Sequence, residues 1–190
     1  MKSFNPTIYI GKMRDHYENF FGLQGSLRKL QVGPTEKLHS DFYILEIPPN
    51  KKHSMWTYCT VGMSVDRLDE NLIELFVYSA EQDESLVELM TVCASYHRNK
   101  LPLGLHHTVF IGRSWQDNSL CDHGFISQAY LDGEELEFFY FENEIIHCYW
   151  FIPITEKEVF FKEKNGCEAL EQLFEEKQLD YLNPNRESLV

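Results

Sequence analysis

The stretch "ELEFFYFENEIIHCYWFIPITEKE", Glu135–Glu158, decides the architecture. Two runs rich in aromatic and β-branched residues flank the short connection Glu142-Asn143-Glu144, the pattern of a β-hairpin. In the second run both parities are apolar: Ile146, Cys148, Trp150 and Ile152 share one face, and Ile145, Tyr149 and Phe151 share the other. A strand apolar on both faces must be covered on both. The expected fold is therefore α+β, a single domain over residues 1–190 with one largely antiparallel or mixed sheet and helices packed on both of its faces. Pro153 is expected to close the strand. "TEKE", Thr155–Glu158, has the form of a capping box, in which hydroxyl and carboxylate each satisfy the other residue's backbone N–H. The helix it starts is expected to end at Asn165-Gly166 in a left-handed turn. A second helix, "CEALEQLFEEK", turns Ala169, Leu170, Leu173 and Phe174 inward and leaves Glu168, Glu171, Glu175 and Glu176 outside. The tail "LDYLNPNRESLV" is expected to return as an extended segment.

Upstream, a first helix is expected from Pro6 to Phe21, capped by Ser3 or Asn5 and stopped by Gly22. Its apolar face carries Ile10, Met13, Tyr17, Phe20 and Phe21. Strands follow at Phe42–Ile47, ending at Pro48-Pro49, and then at Met55–Ser64 and Asn71–Ser79. A helix is expected over Glu84–Arg98, with Asp83 accepting from its first turn and Leu86, Leu89, Met90, Cys93 and His97 lining one face. Residues 113–131 show no clear period and read as irregular.

The net charge of −13 is unevenly spread. Residues 1–52 carry 8 basic and 5 acidic side chains, whereas residues 132–176 carry 13 acidic and 3 basic. Such a field repels nucleic-acid backbones and anionic lipid and attracts a basic protein; it also serves plain solubility. No apolar run approaches the roughly 20 residues that cross a bilayer, and Arg14, Asp15 and Glu18 fall where a signal peptide needs its apolar stretch. A cytoplasmic protein is expected. The five cysteines are widely spaced and odd in number, with no Cys-x-x-Cys, so neither a disulfide framework nor a zinc knuckle is indicated.

The candidates for chemistry are thin. His106 and His107 are adjacent, and on a strand adjacent side chains point to opposite faces, so the two would not share one metal ion. Cys121-x-His123 and His147-Cys148 match no zinc spacing. There is no Gly-x-Ser-x-Gly turn and no glycine cluster for a phosphate. No catalytic residue, metal or cofactor is assigned.

The ordered set "YCTVGMS" (Tyr58–Ser64), "IELFVYS" (Ile73–Ser79), "LPLGLHHT" (Leu101–Thr108), "FIPITEKEVFFKEKNGCEALEQLFEE" (Phe151–Glu176) and "LNPNRES" resembles the suppressor-of-fused-like family over roughly residues 55 to 188. The resemblance implies that family's α+β fold and a non-enzymatic role. Small bacterial members resemble immunity or antitoxin proteins, which neutralise a cognate toxin by binding it; eukaryotic members clasp a peptide of a transcription factor. A regulatory module that adds a partner's strand to its own sheet is thus the alternative. By the same resemblance, Tyr96 and the segment from Leu103 to His107 border a peptide cleft. An extra histidine here leaves His106 and His107 both open as the matching position. The partner-binding residues expected are Tyr96, Leu103, His106 and His107, together with Glu168, Glu171 and Glu175, whose charge would steer a basic partner.

Overall fold

The computed structural model describes residues 5–30, 33, 35–67, 69 and 71–190. Its centre is the strand that the sequence marks out, β8 (Glu144–Thr155), which forms a hairpin with β7 (Phe138–Phe141). On one edge β8 pairs in parallel with β4 (Ile73–Ser79). On the other it pairs first with β7 and then, from Trp150 to Thr155, with β6 (Cys121–Ser127). β1 (Ser26–Arg28), β2 (Tyr43–Ile47) and β3 (Trp56–Val61) extend the β4 side, and β5 (Thr108–Phe110) ends the β6 side. The order is β1-β2-β3-β4-β8-β6-β5, antiparallel except at β4–β8.

Both faces are covered, as the double parity of β8 demands. Ile146, Cys148, Trp150, Ile152 and Ile154 join a core with α1 (Pro6–Phe21), α5 (Cys167–Glu176) and the tail residue Leu179. Tyr149 and Phe151 join a second core with α2 (Ser85–Asn99), Leu103 and Trp115. Each fully buried large apolar side chain contributes roughly 1.5–3 kcal/mol, so two such layers dominate the stability. α1 is capped as expected, with the Asn5 side chain accepting from Ile8 N–H and Gly22 in the left-handed region at φ 70°. Ser3, the other candidate cap, lies outside the described residues. Asp83 likewise accepts from Ser85 N–H at 2.8 Å.

Four expectations are corrected. Pro153 does not close β8; it pairs with Gly124 inside the strand. Its carbonyl accepts from Arg186 at 3.0 Å, on the side away from β6, and a residue's N–H and C=O point to the same side of a strand. The missing N–H therefore breaks no ladder bond. Second, residues 113–131 contain the interior strand β6. Its period is hidden by Gly124, which is obligatory because a Cβ there would lie 1.8 Å from Phe151 Cζ. Third, Gly166 separates α4 (Glu156–Asn165) from α5 not by a left-handed turn but at φ 96°, ψ 167°, a region open essentially to glycine alone. Fourth, the tail is not extended but folds through successive turns, with Tyr181, Asn183 and Arg186 N–H donating to the Leu179, Asp180 and Asn183 carbonyls; Tyr181, Leu182 and Leu189 pack on the core while Arg186 is buried. "ELEFFYF" also begins with a single helical turn, α3 (Glu134–Glu137), before β7.

The capping box of α4 is present and has a further partner. Glu158, fully buried, accepts from Thr155 N–H at 2.8 Å, from Leu189 N–H at 3.0 Å and from both Arg186 terminal nitrogens at 2.7 Å. Burial alone would raise this carboxyl, but the Arg186 hydrogen bonds and charge outweigh it and hold the pKa below the ordinary 4.5. A depressed folded pKa means stability that is present above the unfolded value and lost as pH falls through the folded one.

Two outcomes are expected in denaturant melts. Gly124→Ala loses about 3 kcal/mol by overpacking, and adding Phe151→Leu recovers part of it; strictly additive losses would show that the ring and the glycine are not in conflict. Arg186→Met loses about 3–5 kcal/mol near neutral pH by stranding a buried charge. That deficit shrinks on acidification as Glu158 protonates, and one that did not change with pH would refute an electrostatic origin.

Candidate functional site

After β6 the chain turns at Ala129–Gly133, with Asp132 N–H and Gly133 N–H both donating to the Ala129 carbonyl. That turn leaves Tyr130 and Leu131 about half exposed, at 47% and 51%. Opposite them, α5 ends in a reversal: Gln178 takes φ 53° and Leu179 N–H donates to the Phe174 carbonyl at 2.9 Å. The reversal brings Leu179 and Tyr181 back beneath the helix. Between the two segments lies a groove of about 720 Å³. Its floor is Tyr130, Leu131, Phe174, Leu179 and Tyr181, and its rim carries Glu171, Glu175 and the amides of Gln128, Gln172 and Gln178.

The floor is rigid. Trp150 of β8 packs against Tyr130, Tyr181 and Tyr78 with ring centroids 5.2, 5.0 and 5.6 Å away. Tyr78 OH donates to Asp132 Oδ2 at 2.6 Å, tying the turn to β4. Burial, followed by the charge of Glu171, pushes the Tyr130 phenol up to about 12, so it stays neutral and able to donate. The groove thus combines fixed aromatic surface with negative charge, which suits an apolar anchor flanked by lysine or arginine.

The histidine pair lies not on a strand, as expected, but in the turn that precedes β5. His106 N–H donates to the Ile126 carbonyl at 2.7 Å, and Ile126 N–H donates to the His107 carbonyl at 2.9 Å. With φ at 66°, His106 turns its ring parallel to Phe125 and brings Nε2 within 3.4 Å of Glu171 Oε1. Glu171 also accepts from Ser127 Oγ at 2.5 Å, so it leans onto the sheet instead of standing free, as the helical pattern suggested. His107 is exposed.

The remaining expected residues do not converge on one place. Glu168 and Glu175 are exposed on α5. Tyr96 belongs to α2, on the opposite face of the sheet, and is 36% exposed. Leu103 is buried in the α2 core, with its N–H donating to His97 Nδ1 at 2.8 Å and its carbonyl accepting from Asn71 at 2.6 Å. Burial, then Arg67, pushes His97 down to about 3, so it is a neutral scaffold acceptor. The groove's own Tyr130, Leu131 and Tyr181 escaped sequence reading because they lie in the unplaced segment and the tail. The one available signal was an aromatic–leucine pair set directly before Asp132-Gly133, where a turn leaves it exposed.

Four of the five cysteines are poor candidates for an activated nucleophile. Cys59, Cys93, Cys121 and Cys148 are buried, and burial raises every one of these thiols, Cys93 to about 12. Among the described residues, no three His, Cys, Asp or Glu side chains are grouped so as to hold a metal ion. Nor is any helix among them long and apolar enough to cross a membrane.

Comparison with known proteins agrees with this geometry. A suppressor of fused homolog from Neisseria gonorrhoeae superposes with a TM-score of 0.84 at 28% identity, covering 97% of this chain and 98% of that one. The Sufu–Fu complex gives 0.72 at 11% identity, over 95% and 92%. Drosophila Suppressor of Fused gives 0.66 at 16% identity, over 95% of this chain and 51% of its own. In sequence, the chain is 23% identical over 160 residues to Immunity protein YqcF of Bacillus subtilis, covering 80% of this chain and 83% of that protein. The family model for the suppressor of fused protein matches residues 39–187. With the sheet, its flanking helices and most of the sequence in agreement, this chain belongs to the suppressor of fused protein family.

Proposed function

We propose that this protein is an immunity protein, which neutralises a cognate toxin in the cytoplasm by binding it and without catalysing a reaction. The observation that carries this reading is the α5 surface. Glu171 and Glu175 stand on the rim of a groove whose floor is a fixed aromatic cluster, and Glu168 and Glu176 continue the charge outward. The likeness to Immunity protein YqcF supports it, as does the non-catalytic character of the family. In this mechanism the acidic helix accelerates encounter with a basic toxin domain, and the groove holds one apolar anchor of that domain out of water. Glu171, fixed by Ser127 and His106, would set the position of the incoming cation.

A second reading has its own observation. Among the described residues β5 ends the sheet with one edge unpaired, and Phe110 on it is 66% exposed. Such an edge can accept a partner's strand. That mechanism requires affinity for a short linear peptide, whereas toxin neutralisation requires affinity for a folded domain.

The test is co-expression with any toxin domain that the neighbouring gene encodes, followed by association kinetics on the purified pair. Glu168→Lys, Glu175→Lys and Glu176→Lys together should slow association by about ten-fold or more at low salt and flatten its salt dependence. An association rate indifferent to both salt and charge reversal would remove the α5 surface from the interface. Failure of co-expression to rescue growth would remove the immunity reading itself.

A further inference from the structure

The rim of the α5 groove is built of acceptors. Among the described residues its lining includes no lysine, arginine or histidine. Gln172 donates an amide N–H to Glu176 Oε1 at 2.7 Å, and Gln128 donates one to Glu137 Oε1 at 3.4 Å. Each therefore keeps its carbonyl oxygen for an incoming donor.

Glu171 is the most constrained of the rim residues. Ser127 Oγ donates to its Oε1 at 2.5 Å, and His106 Nε2 stands 3.4 Å from the same atom. Two partners are about what one carboxylate oxygen accepts, while Oε2 has none among the described residues. The side chain keeps 28% exposure, so a ligand can reach that second oxygen.

A carboxylate with one oxygen left distinguishes between the two long cationic side chains. Arginine binds a carboxylate best through its fork, with two parallel N–H groups on two oxygens. Here one prong meets an oxygen already engaged, and the other guanidinium N–H groups lie unpaired over Tyr130, Leu131 and Tyr181. A lysine ammonium is a compact charge that needs a single oxygen, and its remaining donors can turn to the rim carbonyls. Its four-carbon stem buries along an apolar floor while the head stays at the polar edge.

We propose that the groove receives a lysine of the partner protein in preference to an arginine, with its stem along Tyr130 and Leu131 and its ammonium on Glu171 Oε2. Ser127, fully buried, is then a specificity-determining residue that acts through Glu171: by holding Oε1 it removes half of the fork's target. A groove of about 720 Å³ takes a drug-sized ligand, and so has room for the lysine beside one apolar anchor. This preference rests on the α5 surface being the partner-binding face, and names the cation that face selects.

The probes are acetyl-Leu-Lys-Leu-amide and acetyl-Leu-Arg-Leu-amide, titrated separately at millimolar concentration into the full chain and followed by amide NMR. They read this subsite without a folded partner. Saturable shifts are expected at residues 128–131 and 171–181, with the lysine peptide binding about five-fold tighter. The acetyllysine peptide, which keeps the stem and loses the charge, should bind about ten-fold more weakly. Ser127→Ala frees Oε1 and should bring the lysine and arginine peptides to within about two-fold of each other. Equal affinities in the wild type, an unchanged preference in folded Ser127→Ala, or no shifts in the groove would overturn the proposal. If that variant does not fold, Glu171→Gln serves, and a lysine preference that survives it would count equally against the idea. Equal affinities would leave the immunity reading standing, and failed rescue in co-expression would leave the lysine preference standing, so the two fail separately.

Discussion

The structure depends on one constraint: β8 is apolar on both faces and must be dry on both. Cys148, Trp150 and Ile152 are covered by α1, α5 and the tail, while Tyr149 and Phe151 are covered by α2. A strand of this kind cannot stand at an edge, so β4 and β6 flank it. A parallel neighbour needs a long crossover, and the chain between β4 and β8 supplies one that contains α2. Toward the hairpin tip on the α2 side Ile145 and Tyr140 are left exposed.

Two buried carboxylates organise the polar side of this double core. Glu74 on β4 is buried with no ion-pair partner among the described residues, yet it accepts from Tyr9 OH at 2.8 Å, Thr60 Oγ1 at 2.6 Å and the N–H groups of Gly62, Met63 and Ser64 at 3.1 to 3.2 Å. Those five donors tie α1 and the turn after β3 to the centre of the sheet. Desolvation nevertheless pushes Glu74 up to about 7, because donors without net charge offset burial only in part. Glu158 shows the contrasting case: an arginine faces it, and its pKa falls. The first carboxylate organises the N-terminal helix and the second secures the C-terminal tail.

The α5 face offers a groove with a Tyr–Trp floor and a carboxylate rim. It is negative, in keeping with the 13 acidic against 3 basic side chains of residues 132–176, and such a surface suits contact with a basic protein.

How much of this was legible depended on whether the determining contacts were local. The caps at Asn5, Gly22 and Thr155–Glu158, the α2 stripe and the two-sided character of β8 are properties of residues within a few positions of one another, so the sequence alone determined them. Other features waited for partners far along the chain. β6 was unreadable because its Gly124 is explained only by the Phe151 ring, and Pro153 was misjudged because its tolerance depends on which side of β8 is unpaired. Glu171 reads as solvent-facing on a helical wheel, but Ser127 and His106 draw it onto the sheet. The groove itself was set by tertiary structure alone, because its walls come from a turn and a tail that are brought together only by closure of the core around Trp150.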